Sequence, residues 1–163
     1  MSGIKHFSGF EVIRAAKEVE KNGHRFYSTM SESASDPALK DIFTWLAQDE
    51  VEHLRRLNQL ESKYQDGSFA DCEEEFLQYL NRFADDKIFP DAERLEAVLK
   101  TENADLQALE MAIEAEVKFA EYFAKASSLA QSDDGREAFD WLAGEEDRHA
   151  KVLQERRAKY SAS

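Results

Sequence analysis

The sequence predicts an all-α protein, a four-helix bundle built from two antiparallel helical hairpins with a long, partly helical crossover between them. Three observations carry this. Glycine and proline are scarce, 6 and 2 in 163 residues, while 42% of the chain is hydrophobic and 34% charged, a composition suited to amphipathic helices. Apolar residues recur in steps of three and four along four separate stretches. The chain also repeats itself: Phe43-Thr-Trp45-Leu46-Ala47 answers to Phe139-Asp-Trp141-Leu142-Ala143 at an offset of 96 residues (139 − 43 = 96). A length of 163 residues suits one domain with one good core.

The first helix is expected over about 8–34, starting at Ser8, which with Glu11 makes a capping box. Its apolar stripe is Phe10, Ile13, Ala16, Val19, Gly23, Phe26 and Met30. Asp36 reads as an N-cap and Pro37 as a first helical residue, so a second helix follows over about 36–65 with Leu39, Ile42, Phe43, Leu46, Leu54, Leu57 and Leu60 inward. Residues 66–103 form the crossover, with helical pieces from Asp71 to about Asp86 and from Pro90 to about Lys100. The third helix, about 104–131, carries Leu106, Leu109, Ile113, Ala120 and Phe123. The polar run Gln131–Gly135 breaks it, and the fourth, about 133–160, carries Phe139, Leu142, Val152 and Leu153. Short turns make each pair an antiparallel hairpin. The long crossover lets the second and third helices run parallel. The extreme ends are expected to be loose.

A net charge of −13 argues against nucleic acid and anionic membrane surfaces as partners. One cysteine, Cys72, allows no internal disulfide and suits a reducing compartment. No stretch approaches the ~20 apolar residues of a membrane span, and the start Met-Ser-Gly-Ile-Lys-His-Phe-Ser lacks the apolar core of a signal peptide. The expected location is the cytoplasm. Cys72 and His6 receive no role.

The repeat also aligns ionisable residues. Glu20, Glu50 and His53 are matched by Glu116, Glu146 and His149, each 96 residues on. All six fall on apolar stripes: Glu20 between Ala16 and Gly23, Glu116 between Ile113 and Ala120, and the Glu-x-x-His pairs between Leu46 and Leu57 and between Leu142 and Leu153. Buried carboxylates are costly and repel each other unless neutralised. Two divalent cations remove both difficulties and take the net charge from −13 to −9. Residues at i and i+3 share a helix face, so each Glu-x-x-His pair can reach one location. The expected division gives His53 to one ion and His149 to the other, with Glu50 and Glu146 bridging and Glu20 and Glu116 terminal. Mixed oxygen and imidazole donors suit iron, manganese or zinc, and carboxylate-rich redox sites suit iron. The expected cofactor is a pair of iron ions, with manganese or zinc as stand-ins in a purified sample.

Tyr27, seven residues after Glu20 on the same face, is placed to hydrogen-bond a ligand carboxylate. Its repeat partner is Phe123, with Tyr122 alongside. Trp45 and Trp141, five residues before the bridging glutamates, read as core. His24 reads as peripheral, and Glu18 and Glu114 as solvated.

The strings Glu20-Lys-Asn-Gly-His-Arg-Phe-Tyr27, Asp49-Glu50-Val-Glu-His53 and Glu145-Glu146-Asp-Arg-His149 resemble the rubrerythrin family of the ferritin-like superfamily, over about residues 8–157. The resemblance implies a ferritin-like fold, with Glu20, Glu50, His53, Glu116, Glu146 and His149 as iron ligands and Tyr27 bonded to one of them. It implies a di-iron oxidoreductase that reduces hydrogen peroxide or dioxygen in protection against oxidative stress. Two departures stand out. Typical rubrerythrins add an iron–sulfur domain held by two Cys-x-x-Cys pairs. This chain has one cysteine, so an external electron donor is expected, a rubredoxin or a flavoprotein. Typical members also carry an extra glutamate one turn after the third-helix ligand. Phe119 stands there, and Gly23 at its repeat-related place, leaving a four-glutamate, two-histidine set closer to a bacterioferritin-type ferroxidase centre. The alternative reading is therefore a ferroxidase or iron-binding, detoxifying protein without turnover. A third, a hydroxylase of an organic substrate, requires an apolar pocket reaching the metals. A homodimer is expected; a cage-forming subunit is not.

Overall fold

The computed structural model describes residues 9–63, 88–130 and 132–161. Within them lie five helices: α1 Gly9–Ser33, α2 Pro37–Lys63, α3 Ala92–Leu99, α4 Ala104–Leu129 and α5 Asp133–Ser161. The expected cap at Ser8, the helical piece at 71–86, Cys72 and His6 lie outside the described residues.

Local chemistry sets the starts. Pro37 opens α2, and Asp36 Oδ1 accepts from the Ala38 N–H at 3.0 Å. Asp91 caps α3 by accepting from the Arg94 N–H at 2.8 Å. Ser132 Oγ accepts from the Gly135 N–H at 3.0 Å, so Gly135 sits inside the first turn of α5. The break between α4 and α5 is thus narrower than the polar run suggests, because the serine satisfies the helix's first donors.

Cross-helix contacts fix the directions. α1 runs against α2 (Lys17 to Glu61, His24 to Ala47). It also runs against α4: the Tyr122 hydroxyl donates to the Val12 carbonyl at 2.7 Å, and the Ser35 N–H, just past α1, donates to Asp105. α2 runs against α5 (Asp49 to His149, Lys63 to Asp134), and α4 against α5 (Glu110 to Arg157, Ser127 to Asp140). Since α2 and α4 both oppose α1, they are parallel, as the long crossover requires. The core between the helices holds Phe26, Tyr27, Phe43, Phe119, Tyr122, Phe123 and Phe139, all fully buried, each worth about 1.5–3 kcal/mol of apolar burial. The crossover adds Phe89, Leu95 and Val98 to the buried set. Among the described residues, no helix is long and apolar enough to cross a membrane.

Candidate metal centre

Glu20, Glu50, His53, Glu116, Glu146 and His149 converge in the middle of the bundle, all at 0–1% exposure. A helical residue with three or four apolar neighbours on its own face has nowhere to go but inward. His53 Nδ1 lies 3.2 Å from Glu20 Oε1 and 2.8 Å from Glu146 Oε1. His149 Nδ1 lies 3.5 Å from Glu116 Oε1, 3.5 Å from Glu146 Oε2 and 3.6 Å from Glu50 Oε1. The imidazoles stack at 5.3 Å with 10° between their planes. Two sets of four residues each bring one donor atom per residue within 4.8 Å of the others: Glu20, Glu50, His53 and Glu146, and Glu50, Glu116, Glu146 and His149. Glu50 and Glu146 belong to both sets. These are the two positions the repeat marks as bridges.

Tyr27 reaches the layer from α1, its hydroxyl donating to Glu116 Oε1 at 2.6 Å. Tyr122, beside Tyr27's repeat partner, turns away to Val12. His24 is half-buried, with Nδ1 3.0 Å from the Ala47 carbonyl, and clamps α1 to α2. Glu18 and Glu114 are exposed and face Lys21 and Lys118.

Several neighbours are not singled out by the sequence reading. Asp49 Oδ2 lies 2.9 Å from His149 Nε2, so the far nitrogen of that ring is held while Nδ1 faces the glutamates. Glu145 stands 3.9 Å from His53 Nε2, and Arg148 holds it at 2.6 Å. The signal was present, since both residues are acidic and 145 − 49 = 96. Trp45 and Trp141 do pack at the core's edge, but half-buried, each edge-on to a histidine: Trp45 on His149 at 5.3 Å and Trp141 on His53 at 5.6 Å. Arg148 and Arg56 cover their outer faces.

The electrostatics follow from burial and crowding. Burial, then the charges of neighbouring glutamates, pushes Glu20 and Glu50 well above the usual carboxylate range. Burial and Glu146 push Glu116 up to about 8. Burial also opposes the charge on Glu146, but the protons of Glu116, His149 and His53 outweigh it and hold Glu146 well below that range. Burial alone would lower both histidines; pairing with Glu146 lifts His53 to about 9, and pairing with Glu116 and Glu146 lifts His149 to about 12. Even with this sharing, eight buried side-chain atoms of the cluster make no well-aligned hydrogen bond, although Glu146 Oε1 lies 2.8 Å from His53 Nδ1: Glu20 Oε2, both oxygens of Glu50 and of Glu146, Glu116 Oε2, His53 Nε2 and His149 Nδ1. A half-satisfied polar layer in a dry core is unfavourable. Donors of this kind fit two divalent cations: six residues with hard or borderline donors, gathered in two overlapping sets of four, and four carboxylates to match four positive charges.

The fold is shared with a hypothetical protein from Pyrococcus furiosus, at a TM-score of 0.67 and 20% identity, covering 93% of this chain and 89% of that one. No curated protein matches the chain by sequence. The family model described as Rubrerythrin matches residues 11–157, a span that takes in both hairpins and every residue of the cluster, and by that match the chain belongs to the rubrerythrin family.

Proposed function

We propose that this chain is a non-haem di-iron oxidoreductase that reduces hydrogen peroxide or dioxygen. The observation that carries the reading is the pair of overlapping four-residue sets sharing Glu50 and Glu146, with buried donor atoms that make no well-aligned hydrogen bond. Glu20 and His53 would complete one ion's set and Glu116 and His149 the other's, with Glu50 and Glu146 common to both. A pair of Fe(II) ions held by these residues would supply the two electrons that, with two protons, take hydrogen peroxide to two waters. The chain's residues do the rest. Asp49 fixes the His149 ring so that Nδ1 faces inward. The Tyr27 hydroxyl orients Glu116, and burial and nearby glutamates raise its own pKa well above the ordinary tyrosine value, so it remains a donor. The aromatic core around the layer excludes water and strengthens each of these interactions. The returning electrons come from a separate donor, of rubredoxin or flavoprotein type.

Anaerobic loading with Fe(II) is expected to give two irons per chain, oxidised faster by peroxide than by air, with repeated turnover once a reductant is supplied. Glu50→Ala is expected to abolish tight binding of the second ion. Two irons retained in that variant would refute the shared role of Glu50. A second reading, oxidation and holding of iron without turnover, is favoured by Phe119 and Gly23, which leave the cluster at four glutamates and two histidines. Faster oxidation by air with no turnover would select it.

A further inference from the structure

Gly23 and Phe119 are equivalent positions of the repeat (119 − 23 = 96). Each lies three residues beyond a cluster glutamate, Glu20 or Glu116, and so shares its helix face. Phe119 fills its place with its own ring, fully buried and 4.2 Å from Phe123 by ring centroids. Gly23 has no side chain, yet its space is occupied. Phe89, delivered by the crossover just before α3, lies over it. A Cβ on Gly23 would sit 2.9 Å from Phe89 Cε2 and 3.1 Å from Glu50 Oε2. Phe89 and the Glu50 carboxylate therefore border the same notch at Gly23. Phe89 is 2% exposed, and its ring packs on the contacting pair Phe26 and Tyr27, at 5.7 Å and 5.5 Å by ring centroids, near-perpendicular to Tyr27. Each half of the cluster thus has a phenyl ring one turn from its outer glutamate. One belongs to a ligand-bearing helix; the other is inserted from the crossover into a notch made by a glycine.

We propose that Phe89, seated in the Gly23 notch that the Glu50 carboxylate also borders, is a specificity-determining residue that restricts the centre to small reactants such as hydrogen peroxide or dioxygen. This rests on the di-iron reading and adds to it the class of reactant excluded: hydroperoxides and other molecules with a bulky apolar group. Because Phe89 comes from the crossover, truncating it removes no ligand. It leaves a largely apolar space lined by Phe26, Tyr27 and the bare backbone at Gly23, with the Glu50 carboxylate bordering its Gly23 end.

The test compares hydrogen peroxide with cumene hydroperoxide as oxidants of the Fe(II)-loaded chain, in wild type, Phe89→Ala and the milder Phe89→Leu. In both oxidants the O–O bond takes up two electrons, one from each Fe(II), and two protons, giving two waters or one water and cumyl alcohol. Wild type is expected to favour hydrogen peroxide strongly, and Phe89→Ala to reduce that preference by about tenfold or more, with Phe89→Leu between them. A readout independent of turnover uses zinc-loaded protein: benzene is expected to raise the melting temperature of Phe89→Ala and to leave wild type unmoved, because an apolar cavity of that kind binds it. An unchanged preference in a Phe89→Ala protein that takes up benzene would overturn the proposal. So would a wild type that accepts both peroxides equally. Fewer than two irons in wild type would remove the di-iron reading itself, and this inference with it, and the metal count distinguishes that failure from the others.

Discussion

At the scale of single residues, the cluster's behaviour turns on protons. Without metal, His53 holds its proton to about pH 9 and His149 to about 12, against 6.5 in an unstructured chain. Glu116 holds its proton to about 8, against 4.5. In each case the folded chain keeps a proton that the unfolded chain releases, so stability falls as pH rises through that window. Metal-free protein is therefore expected to melt at lower temperature as pH goes from about 6.5 to 9. Glu146, held low, works in the opposite sense, but only as acid is added below the usual carboxylate range. Metal must displace the histidine protons, so affinity should rise over the same window. Melting curves with chelator and with zinc, taken across that range, check both slopes; a metal-free curve that rises with pH would contradict the charge arrangement. The six cluster residues could be read from sequence because each sits on an apolar stripe and recurs at a fixed offset. Asp49 escaped notice because a half-exposed acid is unremarkable until the residue across the helix gap is known.

At the scale of elements, the informative position is the join between crossover and bundle. Gly23→Ala would put a methyl group 2.9 Å from Phe89, a buried ring packed on Phe26 and Tyr27 and unable to yield freely. Overpacking of this kind costs about 1–3 kcal/mol, more than the ~1 kcal/mol that alanine gains over glycine inside a helix. The net expectation is destabilisation. Gly144, inside α5, has nothing within 4 Å of an added Cβ, so Gly144→Ala is expected to stabilise by about 0.5–1 kcal/mol. Opposite signs from one type of substitution in two helices, read by denaturant titration, check the role of the notch. Helical periodicity placed Gly23 on the inner face but gave no reason for a glycine there. The reason is Phe89, whose approach depends on the path of the crossover and so left no trace in local pattern. The tryptophans were half legible for the same reason: periodicity put them at the core's edge, and only the packing of α2 on α5 set them against the histidines.

At the scale of the whole molecule, one carboxylate ties the two hairpins together. Asp36, in the α1–α2 turn, caps α2 and accepts from Arg156 and Tyr160 near the end of α5. Asp105 of α4 accepts the Ser35 and Asp36 N–H groups at the same turn. Hydrogen bonds from Arg156 and Tyr160 hold Asp36 down at about 2, against 3.8 when unfolded, so its contribution is present above about pH 4 and is lost as pH falls toward 2. Asp36→Ala is expected to cost about 1–2 kcal/mol through the cap alone, and to flatten the acid limb of the stability curve, which acid titration followed by circular dichroism would show. The bundle's plan was legible because duplication with a long middle segment leaves few ways to close four amphipathic helices. This tie was not, because it joins residues 120 apart in sequence that share no pattern.

The chain holds only two tryptophans, one in each hairpin, and each touches a different histidine of the cluster. The protein therefore carries its own optical probe of each half of the centre. In Trp141→Phe the remaining indole emission reports the His149 side, and in Trp45→Phe the His53 side. Titration with a quenching ion such as Co(II) should dim the two variants at different metal concentrations if the halves fill in sequence, and together if they fill as one.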